Sequence, residues 1–169
     1  MDNDNQYEYE IPPQRIFETM RFNIFNKYDS SNINFISLEY ISMRNHLFSL
    51  LHKISKRMDF NSRTYFLSIY YLDLLFIKHH KIDCNYNLLA LACLVLSAKY
   101  CENDPLVPHL KYFIHAFNDI VGTNNKISVS DLFYAEVITC KLLDYKLNYF
   151  TVYDFDSFIF LYIIIKLNN

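Results

Sequence analysis

Charged side chains on otherwise apolar helical stripes are the first candidates for chemistry in this sequence, because an ionised group taken out of water is costly unless it is paired. Asp73 falls on the stripe Phe66, Ile69, Tyr70, Phe76 and Ile77, so the fold must supply a cation near it. Arg44 is the natural partner. It stands early in the preceding helical segment, and an antiparallel hairpin sets that end beside the later part of the next helix. The expected result is a structural ion pair. Lys99 closes the most apolar segment of the chain, and Glu136 sits on the inner stripe Phe133, Val137, Cys140 and Leu147 of a later one, so both charges fall where helices meet. Two readings compete for them. One is an internal bridge that satisfies both groups; the other is an exposed pair at the rim of an apolar surface, available to another protein's backbone. Spacing alone favours the internal bridge.

Other chemistry finds little support. His79 and His80 with Cys84 do not form a metal set, because adjacent residues at a helix end point in different directions and no second ligand cluster has usable spacing. They read as a solvated turn. With Gly122 as the single glycine there is no phosphate-cradling loop, and no Ser-His-Asp or Cys-His motif is recognisable. His46, His52, His109 and His115 read as surface or packed residues. The sequence therefore calls for no catalytic residue, cofactor, metal or small-molecule substrate, and the protein is not expected to be an enzyme. A net charge of −2, with basic residues spread among acidic and aromatic ones, argues against nucleic acid as the partner. Cys84, Cys93, Cys101 and Cys140 lack C-x-x-C spacing and no signal peptide is recognisable, which places the chain inside a cell, in cytoplasm, nucleus or both. The apolar run Phe158 to Leu167 is about half of the ~20 residues a membrane span needs, so it reads as a buried helix and not as a membrane contact.

The elements that must position these charges are helical. Hydrophobic residues make up 52% of the chain and aromatic ones 18%, enough for a real core, whereas one Gly and four Pro are too few for the many corners of a sandwich or barrel. An all-α fold is expected. Residues 1–14 carry Asp2, Asp4, Glu8 and Glu10 without a basic residue and read as a flexible acidic arm; a first helix is expected over Arg15 to Lys27. From Ile41 to Met58, Met43, Leu47, Leu50, Leu51, Ile54 and Met58 recur at helical intervals. Asp59 and Asn61 supply a turn or cap before the helix bearing Asp73. Leu88 to Ala98 is apolar or small all round and belongs at the centre, with Ala90, Cys93 and Ser97 as a ridge for close packing. A fourth helix is expected over Leu106 to Val121, stopped by Gly122; a fifth is capped by Ser128 or Ser130. A short C-terminal helix is expected from Asp154, which divides the chain into the arm 1–14, a helical domain 15–150 and the segment 151–169.

The strings Met43-Arg44-Asn45-His46-Leu47, Tyr71-Leu72-Asp73, Leu89 through Tyr100 with Glu102, Glu136-Val137 and Leu142-Leu143 resemble the cyclin box in content and order, from about residue 38 to about residue 150. The resemblance implies a single five-helix cyclin-box bundle around a central hydrophobic helix. It implies a regulatory subunit that forms a heterodimer with a cyclin-dependent protein kinase and activates it. Lys99 and Glu136 match the lysine and glutamate that grip the kinase backbone beside its mobile regulatory helix. Arg44 and Asp73 match the family's internal pair. In the family, binding pushes that helix inward and completes the kinase's own Lys–Glu pair and metal site. Where the family's substrate-docking patch has an Ile, a Trp and an acidic residue, this chain has His46, Leu50 and Lys53, which sets it apart from relatives that dock basic-hydrophobic motifs. With one box, it looks nearest the small P-type group. The alternative is a cyclin-fold scaffold or transcription adaptor that activates no kinase.

Overall fold

In the computed structural model, residues 38–79, 82–102, 107–122, 127–149, 151 and 153–154 are described. The acidic arm 1–14, the expected helix Arg15 to Lys27 and all of the expected C-terminal helix beyond Asp154 lie outside them. Among the described residues the fold is all-α, with five helices and no strand: α1 (Leu38–Arg57), α2 (Ser62–Lys78), α3 (Tyr86–Cys101), α4 (Leu110–Val121) and α5 (Val129–Leu142).

The centre is α3. Every residue from Leu89 to Ala98 is buried, and α3 packs against all four other helices. Its N-terminus is closed by Asn85, whose side chain accepts from the Asn87 and Leu88 amides at 3.0 and 3.3 Å. The ridge of Ala90, Cys93 and Ser97 is fully buried. The Ser97 hydroxyl donates back to the Cys93 and Leu94 carbonyls, so this hydroxyl is not left unpaired in the core. Burial pushes the Cys93 thiol far up, and it remains a neutral packing group.

α1 covers α3 with Leu47, Leu50, Leu51 and Ile54, at the 3–4 spacing of one helix face. It ends in a turn at Asp59, which takes φ 55°, a conformation Asp tolerates better than most residues. Asn61 then caps α2 by accepting from the Thr64 amide at 3.0 Å. The buried face of α2 is Thr64, Leu67, Ser68, Tyr71, Leu72, Leu75 and Phe76. This corrects the expected stripe: of its members only Phe76 is in the core, Phe66 is 37% exposed, and Ile69, Tyr70 and Ile77 are not fully buried. Most residues of α2 are apolar, so two stripes fit the helical period and the one containing Asp73 is the outer one.

α4 begins at Leu110, not Leu106. Pro108 explains the late start, since its ring disfavours helical backbone at Val107. The helix does stop at Gly122, whose amide donates to the Asn118 carbonyl at 2.8 Å and whose φ of +91° suits a residue without a side chain. α5 opens with a capping box. The Asp131 amide donates to Ser128 Oγ at 3.1 Å and the Ser128 amide donates to Asp131 Oδ2 at 3.0 Å. The Ser128 hydroxyl, which donates to Asp131 Oδ2 at 2.7 Å, and then the Ser128 amide hold the Asp131 carboxyl below its ordinary range. The buried face of α5 is Leu132, Glu136 and Thr139, continued by Leu143. The expected inner stripe is therefore corrected by one residue: Phe133 is 57% exposed, and Val137, Cys140 and Leu147 are not core members. Apolarity alone selects the Phe133 stripe, because the face that packs inward carries two polar residues.

After α5 the chain turns through two left-handed residues, Asp144 and Tyr145, and descends along α2. Lys78 pairs with Asp144 at 3.0 Å, the Tyr71 hydroxyl donates to the Leu147 carbonyl at 2.5 Å, and Arg63 meets Asp154 at 2.9 Å.

Two stability measurements check this account. Leu91→Ala should cost about 2–5 kcal/mol in urea unfolding, because α3 has no free side towards which its neighbours can collapse. Ser128→Ala should lower the melting temperature at neutral pH. The depressed carboxyl of Asp131 stabilises the fold above the ordinary aspartate value and loses that effect as pH falls through its lowered folded value, so the gap between wild type and Ser128→Ala should narrow in acid.

Candidate functional site

Lys99 occupies the last turn of α3, one residue beyond the buried run, where a cation also complements the helix dipole. Its side chain is 47% exposed. Glu136 reaches it from α5, with its side chain only 10% exposed, and Lys99 Nζ donates to Glu136 Oε1 at 2.5 Å. The other carboxylate oxygen, Oε2, is buried and has no hydrogen-bond partner among the described residues. One acceptor oxygen therefore lies just under the surface without a donor, beside an exposed ammonium that can donate up to three bonds. Such a pair can take an amide N–H on one side and offer a donor to a carbonyl on the other.

The surface round it is apolar. Val129 and Phe133 stand two turns and one turn before Glu136 on the same side of α5 and are 51% and 57% exposed. Tyr100, next to Lys99, is 40% exposed. The helical spacing that marks Phe133 as core in the sequence belongs instead to the rim of the charged pair. Residue type does not reveal this rim, because exposure defines it.

Arg44 and Asp73 meet in a second place, across the α1–α2 hairpin. Arg44 Nε donates to Asp73 Oδ1 at 2.9 Å and Nη2 to Oδ2 at 2.7 Å, a two-point fork, while the Tyr40 hydroxyl donates to Oδ1 at 2.6 Å. The carboxylate raises the Arg44 pKa, and burial with the Asp73 contact pushes the Tyr40 hydroxyl far up, so both remain donors. The Arg44 guanidinium also lies over the Phe48 ring at 4.2 Å. The pair is half-buried, with side-chain exposures of 42% and 27%.

Glu102, just past α3, carries no signal in the sequence beyond the string that ends in it. Its Oε1 accepts from the Asn61 amide at 3.0 Å and the Thr64 hydroxyl at 2.5 Å, tying the end of α3 to the start of α2. No local pattern announces that role, since its partners lie about forty positions away. His46 and Lys53 are exposed while Leu50 is in the core. His79 Nε2 lies 3.2 Å from the Leu142 carbonyl.

The fold and these two polar sites define a class: an all-α bundle whose candidate site is a surface pair with an apolar rim. The model of the family described as Cyclin, N-terminal domain matches residues 15–148, most of the chain. The chain belongs to the cyclin family, and its cyclin domain is a regulatory fold. No curated protein and no solved structure matches it.

The Arg44–Asp73 fork can be tested through its partners. Asp73→Asn leaves Arg44 without its counter-charge and weakens the Tyr40 bond, and should cost about 1–3 kcal/mol in urea unfolding. Arg44→Lys, which cannot make the fork, should cost about 1 kcal/mol or less at this half-exposed position.

Proposed function

We propose that the chain is a cyclin-like regulatory subunit that binds and activates a cyclin-dependent protein kinase as a heterodimer. Lys99 and Glu136 are the kinase-binding pair. Glu136 Oε2, buried without a donor among the described residues, is the observation that carries this reading. A carboxylate oxygen left unpaired in a folded protein costs about 1–3 kcal/mol. A partner's backbone amide would remove that cost, and an exposed Lys99 beside it can bind a neighbouring carbonyl. The exposed Val129, Phe133 and Tyr100 supply the apolar area that such a contact would bury.

In this reading the chain performs no reaction. It selects the kinase conformation in which the regulatory helix lies inward, and the stabilisation equals the difference in its affinity for the two kinase states. Arg44 and Asp73 act at a distance from the partner, holding α1 against α2.

Co-purification of the tagged chain, with identification and assay of bound kinase, tests the proposal. Wild type should retain a cyclin-dependent kinase and stimulate it. Lys99→Ala with Glu136→Ala should weaken retention by at least about 30-fold, the scale of roughly 2 kcal/mol expected of an interface hot spot. Phe133→Asp should do the same without loss of folding, because Phe133 is exposed. A retained kinase that is not stimulated would favour the scaffold reading; no retained kinase would remove the activator function.

A further inference from the structure

We infer that the outer side of α5, with the turn that follows it, is a docking surface for an acidic polypeptide segment that carries an aromatic or branched aliphatic anchor. This inference is independent of the kinase-binding reading, which uses another side of the same helix.

α5 packs on the core through Leu132, Glu136 and Thr139. Tyr134 and Ile138, four positions apart, share one side of the helix, about 100–140° round from Phe133. They are 68% and 36% exposed. Lys141 follows on this side at a further three positions and is exposed as well. A ring, a branched aliphatic group and an ammonium therefore stand in a row facing water.

The turn after α5 adds a second exposed ring at the C-terminal end of the row. The Tyr145 amide donates to the Cys140 carbonyl and the Asp144 amide to the Lys141 carbonyl, both at 2.9 Å. A helix commonly closes with this pair of bonds through one left-handed residue, usually glycine. Here that residue is Asp144, at φ 54°, and Tyr145 after it is left-handed too, at φ 57°. Such backbone is unfavourable for a bulky side chain. In many such turns the second residue packs back on the helix, but Tyr145 is 67% exposed and gains little from burial. Lys78 pins the turn from α2 through its ion pair with Asp144 at 3.0 Å. A strained turn, held from a neighbouring helix, whose effect is to present an aromatic ring to water points to a contact role for that ring.

The charge left over round these rings is positive. Lys141 and Lys146 are both exposed, and neither belongs to an ion pair among the described residues. The nearby acids are already engaged. Lys78 lowers the Asp144 carboxyl pKa, with smaller contributions from Lys146 and His79, and Asp131, one turn before Tyr134, is held by the Ser128 cap. A segment that sets an apolar side chain on Tyr134 and Ile138 and carboxylates on Lys141 and Lys146 would complement the row. Tyr suits such a contact, since its ring covers a large area with few rotatable bonds and its hydroxyl can bond a partner. Two free lysines are too few to track a phosphate backbone, which favours a polypeptide over nucleic acid.

The test titrates the full chain into a short fluorescein-labelled peptide of alternating Glu and Phe and reads anisotropy at low ionic strength. The same peptide with Lys for Glu and a single-stranded oligonucleotide serve as controls. The acidic peptide should bind saturably, and the controls should not. Lys141→Glu with Lys146→Glu, and separately Tyr145→Gly, should each weaken binding about fivefold or more, whereas Lys53→Glu with Lys56→Glu, at exposed positions of α1, should leave it unchanged. Tyr145→Gly should also melt above wild type, because glycine takes the left-handed turn without strain. The inference is overturned if the acidic peptide does not bind, if the oligonucleotide binds as tightly, or if the α5 substitutions change nothing. It is equally overturned if the α1 substitutions weaken binding as much, which makes the attraction one of general charge, or if Tyr145→Gly melts below wild type, which makes the ring a packing residue.

Discussion

Everything in this domain depends on burying α3 from all sides. A helix with no polar face cannot lie at a surface, so four others must surround it, and the ridge of Ala90, Cys93 and Ser97 lets them come close. The same constraint decides where charge can appear. Between Asn85 and Lys99 no side chain can carry one; Lys99 is the first position past the buried run where an ammonium reaches water. The charged site stands at the end of α3 because the core ends there. Glu102 uses the same exit for a structural purpose, closing the start of α2.

Much of this is legible in the sequence, for a physical reason that also marks its limit. Where a segment has one possible apolar face, as in α1, or apolarity on every side, as in α3, residue type fixes the packing. Asp73, Lys99 and Glu136 stand out as charges on such segments. In α2 and α5 two stripes satisfy the helical period, and the choice depends on what faces them. In α2 the inner and outer stripes are nearly equal in apolarity, and the presence of Asp73 on the outer one is the available discriminator. For α4, weighing Pro108 against the apolar residues before it moves the start beyond the proline. The contacts of Glu102 with Asn61 and of Arg63 with Asp154 join positions far apart in the chain and leave no local trace.

α5 is the informative case, because its pattern is inverted at one end. Its buried face carries Glu136 and Thr139, and the Thr139 hydroxyl, like Glu136 Oε2, has no hydrogen-bond partner among the described residues. Beside that face stand Val129 and Phe133, and on the outer side Tyr134, all more than half exposed. Stability of the isolated domain would be served by exchanging them: apolar groups inward, polar ones outward. A single exposed aromatic residue needs no explanation. An exposed apolar row beside a buried carboxylate oxygen that has no hydrogen-bond partner among the described residues does, since both are unfavourable in the free chain and, in the proposed reading, both would be relieved by the same event, the arrival of a polypeptide that supplies an amide and covers the row. That coincidence is what supports the proposal of a surface pair suited to a partner over a purely internal bridge, which has no need of an apolar rim or of a carboxylate oxygen held without a donor.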